Sequence, residues 1–209
     1  MRQHVNPLSN VFNYVEPLPP LEEIFDNHTM PLHLDVGCGA GDFLINLANH
    51  NKNWNYMGVE IREKLVNKSK LKLKNKSIDN LFFAFGNAEY LIEDCIGKFP
   101  VNALSSVSFN FPDPWFKKKH HKRRIIQPQL IQKISRLMAN GGFISIKTDV
   151  EELFEYMDMT IIDSKFFIPY KYQDSEILNS YNPINLKTNR ENYVSEKKLK
   201  VFEILYKKI

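Results

Sequence analysis

The sequence predicts an α/β fold, a doubly wound and mostly parallel sheet built as one domain. Three observations carry this reading. Apolar runs of strand length alternate with helical patterns, a glycine-rich loop follows the first run, and 209 residues suffice for one core.

The strand-length runs are LHLDV (32–36), YMGVE (56–60), LFFAF (81–85), LSSVSFNF (104–111) and FISIKT (143–148). Helical patterns lie between them. Gly41 to Asn49 puts Phe43, Leu44 and Leu47 on one face, and Ile125 to Met138 spaces Ile126, Leu130, Ile134, Leu137 and Met138 by three and four. Asp149 reads as an N-cap ahead of Glu151, Glu152 and the apolar Leu153, Met157 and Ile161. VFEILYK (201–207) returns to alternation and reads as a late strand. Two regions break the rhythm. Residues 1–30, with prolines at 7, 17, 19 and 20, read as an N-terminal arm laid on a domain of residues 31–209. Residues 169–198 are polar, and a segment that long without regular structure is usually functional or mobile.

Composition narrows the class. The apolar share of 43% is that of a soluble globular protein, no apolar run is long enough to span a bilayer, and MRQHVNPLSN lacks the apolar core of a signal peptide. Cys38 and Cys95 are the only cysteines, so a disulfide framework is not expected and a reducing cytoplasm is. No clustered Cys/His ligands suggest a metal. Net charge is +4, yet KKKHHKRR (117–124) carries +6, leaving the remaining 201 residues at −2. One dense cationic patch on a near-neutral globule points to a polyanion docking at one place. The lysine-rich stretch Arg62 to Lys76 is more dilute and reads as a solvated helix face.

The first strand ends in Asp35-Val36-Gly37-Cys38-Gly39-Ala40-Gly41-Asp42. Glycines at 37, 39 and 41 let the backbone turn sharply against a ligand at the first crossover. The spacing is G-x-G-x-G, and Asp42 places negative charge where a dinucleotide's phosphate would rest, which disfavours a dehydrogenase. Glu60 closes the second strand, where an acid accepts ribose hydroxyls. An adenosine ligand without phosphate, with a cationic end for Asp35 to face, describes S-adenosylmethionine.

The fourth strand runs into Asn110-Phe111-Pro112-Asp113-Pro114-Trp115-Phe116 and then the cationic run. Two prolines fix the direction of the Asp113 carboxylate at the mouth of the sheet. An aromatic followed by cations is the pairing expected for an exposed base with flanking phosphates.

LDVGCGAGDF, GVEI, FNFPDPWFKKKHHKRR, IKTD, the late TNRE and N-terminal HVNPL together resemble the bacterial tRNA (guanine-N7)-methyltransferases over nearly the whole chain. The resemblance implies a Rossmann-like class I methyltransferase fold, with a late antiparallel strand on the parallel sheet. It implies that Asp35, Gly37, Glu60, Asn87 and Asp113 bind S-adenosylmethionine and that Asp113 is catalytic. Lys117, Asp149, Thr188, Asn189, Arg190 and Glu191 match substrate-binding positions, and Lys119, His120, His121, Lys122, Arg123 and Arg124 match the RNA-contacting run. The implied partner is tRNA, methylated at a guanine of its variable loop, with no membrane and no obligatory second subunit, by a monomer or homodimer. Asn87 stands where the family usually has aspartate, and Arg190 stands at the aromatic position of T-x-[FY]-E.

Guanine N7 carries a lone pair and no proton, so this transfer needs alignment more than a strong base. Carboxylates also suit the N1–H and N2–H₂ donors of guanine; Asp113, Asp149 and Glu191 are the candidates, and Lys117 suits O6 or a phosphate. Two other classes compete. One is a methyltransferase acting on an exocyclic amino group, whose motif differs little from Asp113-Pro114-Trp115. The other is an RNA-binding protein with a disused cofactor cleft, against which the intact Asp35, Gly37 and Glu60 argue.

Overall fold

The computed structural model describes residues 5–13, 17–74, 76–170 and 186–209. Its one sheet contains β1 (Leu32–Val36), β2 (Asn55–Glu60), β3 (Leu81–Phe85), β4 (Leu104–Asn110), β5 (Met138–Thr148), β6 (Phe167–Tyr170) and β7 (Phe202–Lys208), in the order β3-β2-β1-β4-β5-β7-β6. The first five strands run parallel to one another, and β7 is antiparallel to both β5 and β6. The helices are α1 (Leu21–Ile24), α2 (Asp42–His50), α3 (Glu63–Lys74), α4 (Ala88–Lys98), α5 (Pro128–Leu137), α6 (Glu151–Asp163) and α7 (Asn189–Glu196). Strand order reverses between β1 and β4, and a crevice opens there beyond their carboxyl ends.

Alternation along the strands decides which layer each side chain meets. Leu32, Leu34 and Val36 of β1 join Val107 and Phe109 of β4 in one apolar cluster with α4, α5 and α6. Tyr56 and Phe83 point to the opposite face, against Leu44 and Leu47 of α2 and Val66 of α3. The same period of two turns His33, Asp35, Ser106 and Ser108 away from the first cluster, all four buried, with His33 beside Ser106 and Asp35 beside Ser108 in register. The polar core of the site is thus set by strand alternation.

Several elements differ from the sequence expectation. The helix expected over Ile125 to Met138 begins only at Pro128, which sits at its first position, where its missing N–H costs nothing. It ends at Leu137, and β5 starts at once at Met138, not at 143; Gly141, at φ +81°, lets this early segment bend before the regular pairing with β4 resumes. Val150, not Asp149, caps α6, and its N–H donates to Thr148 Oγ1 at 3.2 Å. Asp149 is drawn to another partner, described below. α4 begins at an N-cap that periodicity did not reveal, Asn87, whose Oδ1 accepts from Glu89 N at 3.1 Å. α3 buries only Val66 and Ser69, in keeping with a solvated face.

The expected arm of residues 1–30 is partly core. Leu18, Leu21 and Phe25 are buried in the first cluster, and Leu18 donates to Asp94 Oδ2 at 2.7 Å while its carbonyl accepts from Lys98 Nζ at 2.7 Å. Within the polar stretch 169–198, β6 ends and α7 forms. Residues 1–4, 14–16 and 171–185 of these two expectations lie outside the described residues.

Candidate active site

The glycine loop folds against the end of β2, with Gly37 and Cys38 both donating to the Val59 carbonyl at 2.8 and 3.1 Å. Gly37 and Gly39 have φ of +83° and +59°, and a Cβ on either would meet nothing within 4 Å. Their backbone faces open space, as a close-lying ligand requires. Gly41 has a different job, since a Cβ there would lie 2.5 Å from the Phe83 ring; it lets α2 pack on the sheet. Asp42 is not a bare charge. It pairs with Lys72 of α3, which also donates to Ala40 O at 2.9 Å, and it accepts from Asn189 Nδ2 at 3.0 Å.

Glu60 is buried and fully engaged. Oε1 accepts from Arg62 N and Nε, each at 2.9 Å, and Oε2 accepts from Gly39 N and Arg62 Nη2, each at 3.0 Å. A carboxylate offers about four lone-pair sites, so a ribose diol reaching Glu60 must take sites that Arg62 holds. Arg62's own pKa is raised, first by its bonds to Glu60, against some desolvation, and further by the charges of Glu60 and Asp113.

Asp35 accepts from Ser108 Oγ at 2.6 Å and Asn110 Nδ2 at 3.0 Å. Burial pushes its pKa up to about 6; these two hydrogen bonds pull it back and the Glu60 charge adds to the rise. Because Ser108 donates to Asp35, it accepts from His33 Nε2 at 3.1 Å, and His33 Nδ1 accepts from Ser106 at 2.8 Å. Burial lowers the His33 pKa to about 3, so this imidazole stays neutral. Cys38 is disfavoured as a nucleophile. Burial, then the charges of Asp35 and Glu60, raise its thiol pKa well above the ordinary value.

Asp113 sits on a strained loop. Phe111 and Trp115, one on either side of Pro112-Asp113-Pro114, have φ of +50° and +47°. Left-handed backbone at non-glycine residues costs about 1–3 kcal/mol each and persists only where the surroundings enforce it. Phe111 N donates to Lys147 O at 2.7 Å, and the Trp115 ring lies edge-on to His120 and 5.0 Å from the Arg123 guanidinium.

Two adjoining cavities meet at Asp113. One, of about 140 Å³, is lined by Gly37, Glu60, Asn87 and Trp115 and roofed by Val5 and Pro7 of the N-terminal segment. The other, of about 270 Å³, is lined by Asp35, Asp42, Thr188, Asn189 and Arg190. Gly37, Arg62, Asn110, Phe111 and Asp113 line both. Together they reach the size of a small-molecule site, roughly 300–1,000 Å³. Asn87 donates through Nδ2 to Pro7 O at 3.1 Å, a bond an aspartate could not donate.

The TNRE segment is tied down residue by residue. Thr188 and Glu191 form a reciprocal capping box at the start of α7. Glu191 also pairs with Lys147 at 3.1 Å, and Arg190 pairs with Asp149 while lying 4.8 Å over the Tyr193 ring. Burial works to lower the pKa of Lys147, but Glu191 and Glu203 outweigh it and the net shift is upward. Asp149 and Glu191, expected to face a base, each carry a cation already.

The cationic run divides in two. Lys117, which precedes a 3-10 turn over Lys118–Arg123, and Lys119 and Lys122 on that turn are exposed, with His120 and His121 half-buried. Arg124, expected in the RNA-contacting run, is buried, with Nε donating to Pro114 O at 2.9 Å and Nη2 to Glu152 Oε1 at 2.6 Å. Sequence reasoning missed Ser108, Asn110, Arg62, Lys72 and Lys147. A signal existed for the first two: Ser106, Ser108 and Asn110 are polar at every second position and alternate with the apolar Val107 and Phe109.

Comparison with known proteins agrees with this geometry. Residues 29–204 match the family model described as "Putative methyltransferase". The chain is 53% identical over 209 residues to the tRNA (guanine-N(7)-)-methyltransferase of Prochlorococcus marinus subsp. pastoris, covering 100% of both chains. It is 41% identical over 208 residues to the protein of the same name from P. marinus strain MIT 9313, covering 100% of this chain and 88% of that one. Among solved structures it is similar to an antibiotic-related methyltransferase (TM-score 0.59, 17% identity, 90% and 92% of the two chains). It is also similar to a SAM-dependent methyltransferase from Aquifex aeolicus (TM-score 0.56, 12% identity, 93% and 90%), and at these identities the likeness speaks for the fold alone. The open glycine cradle, the acids closing β1 and β2 and the full-length identity together place the chain in the tRNA (guanine-N7)-methyltransferase family.

Proposed function

We propose that this protein methylates N7 of a guanine in tRNA, with S-adenosylmethionine as donor and Asp113 as the catalytic carboxylate. One observation carries the assignment of Asp113: it stands where the two cavities join, on a loop forced into position from both sides. S-adenosylmethionine supplies an electrophilic methyl group on a cationic sulfur. The open backbone of Gly37 and Gly39, with Asp35 and Glu60 beyond it, fits that ligand.

N7 needs no deprotonation, so the chain's task is to align the base and stabilise charge. Alignment of this kind supplies roughly 7–11 kcal/mol. Positive charge moves onto the purine during transfer, and the Asp113 carboxylate follows it. Asp149 and Glu191 serve as held pairs with Arg190 and Lys147, and guanine's N–H donors compete with those cations for them. Lys117, Lys119 and Lys122 receive phosphates. Among the described residues no three His, Cys, Asp or Glu cluster as metal ligands, and no helix is long and apolar enough to cross a membrane. We place the reaction in the cytoplasm, at the tRNA variable loop, by a monomer or homodimer with no obligatory partner protein.

The test is nucleoside mass analysis of unmodified tRNA after incubation with protein and cofactor. 7-Methylguanosine is the expected product. An N2- or N6-methylated nucleoside would transfer the site to exocyclic amino chemistry, and neither product nor measurable cofactor binding would leave only an RNA-binding role.

A further inference from the structure

We infer that Arg124, the last residue of the cationic run, is a positioning residue of the Asp113 loop and makes no phosphate contact. The inference rests on Asp113 being the catalytic carboxylate. Arg124 is 4% exposed, while Lys119 and Lys122 of the same run stand in solvent. Its Nε–H donates to the carbonyl of Pro114, the residue that follows Asp113. Nη2 donates to Glu152 in the first turn of α6 and lies 3.0 Å from His121 Nε2, and the guanidinium stacks 4.7 Å over the Tyr156 ring. A planar, delocalised cation suits this setting, since it stacks on an aromatic face and donates in two fixed directions at once.

The loop needs such a clasp. Its first strained residue, Phe111, is pinned by the Lys147 carbonyl, and its second, Trp115, directly follows the carbonyl that Arg124 holds. Pro114 lacks an N–H, so the loop's second half depends on acceptors and on outside donors. Arg124 supplies one from α6's side of the molecule. The run therefore does two jobs: its lysines face the polyanion, and its final arginine fixes the direction of the carboxylate that acts on the base.

Arg124→Lys and Glu152→Gln test this, each assayed for methylation rate, for tRNA affinity across salt concentration and for acrylamide quenching. Trp54 is 2% exposed, so acrylamide reads Trp115 alone. Arg124→Lys is expected to lower kcat by about tenfold or more, because a misplacement of about 1 Å costs up to that and beyond. Quenching should rise, while KM for tRNA and the salt slope stay as in the unmodified protein. Glu152→Gln, at the 58%-exposed end of the clasp, should move kcat and quenching the same way by less. The opposite pattern overturns the inference: a salt slope flatter by about 0.7–0.9, one phosphate contact's worth, with kcat and quenching unchanged. If Arg124→Lys does not fold, unchanged kcat and quenching in Glu152→Gln overturn it alone. Full turnover in Asp113→Ala would instead remove the catalytic reading, whatever the quenching shows.

Discussion

The two sides of the cleft hold their carboxylates differently. On the proposed cofactor side, Asp35 and Glu60 lie at the ends of adjacent strands; Asp35 takes the neutral donors Ser108 and Asn110, and Glu60 takes Gly39 N and Arg62, two residues on. On the proposed target side, Asp149 and Glu191 are each matched by a cation distant in sequence, Arg190 and Lys147. The first arrangement suits a small ligand that must find its acceptors aimed and dry. The second suits a large polyanion, whose arrival re-sorts charges that the free protein keeps balanced. Asp113 lines both cavities, on a loop flanked by the left-handed residues Phe111 and Trp115.

Asp113→Ala should break the comparison at its hinge. Methylation is expected to fall by about 100-fold or more, the scale of removing one electrostatic stabiliser of a transition state. Cofactor affinity measured by calorimetry should weaken much less, because Asp35 and Glu60 remain.

Glu60→Gln isolates the cofactor side. One charged acceptor becomes an amide, and losing a charge-assisted hydrogen bond costs about 1.5–3 kcal/mol. The cofactor dissociation constant should rise accordingly, with tRNA affinity unmoved. Unchanged calorimetric affinity would take Glu60 out of the site.

The same side should respond to pH. With the Asp35 pKa raised to about 6 by burial, acidification through that value neutralises the carboxylate, and affinity for the cationic cofactor should fall by at most about tenfold per unit. Fold stability runs the other way. The unfolded chain ionises first, so Asp35's contribution to stability is present below its ordinary pKa and is lost as pH rises through about 6. Parallel calorimetry and thermal melting across pH 5 to 8 separate the two, and affinity that is flat over that range would mean Asp35 does not face the cation.

The smallest effect belongs to the exposed lysines. Lys119→Ala with Lys122→Ala should flatten the salt slope of tRNA binding by about 1.4–1.8 and raise KM, with kcat at saturating tRNA nearly kept. A slope equal to that of the unmodified protein would move the RNA surface elsewhere, most directly to the lysines of α3.

Much of this molecule is legible in the chain itself. A strand shows as alternation and a glycine loop as spacing, so β1 to β5, β7 and the cradle at Gly37 could be read before any coordinates. The acids at 35 and 60 lie at the ends of β1 and β2, and Asp113 lies on the loop just after β4, a local matter. What only the tertiary structure decided is which polar groups are already spent. Arg124 looks like its neighbours in sequence, yet folding buries it under α6 and assigns its donors to Pro114 and Glu152. Arg190 and Asp149, like Lys147 and Glu191, meet only because α7 and β5 are brought together across the sheet. Charge is a property of a residue and can be read from sequence; whether that charge is free to bind depends on partners tens of residues away, which only the packed sheet brings within hydrogen-bonding distance.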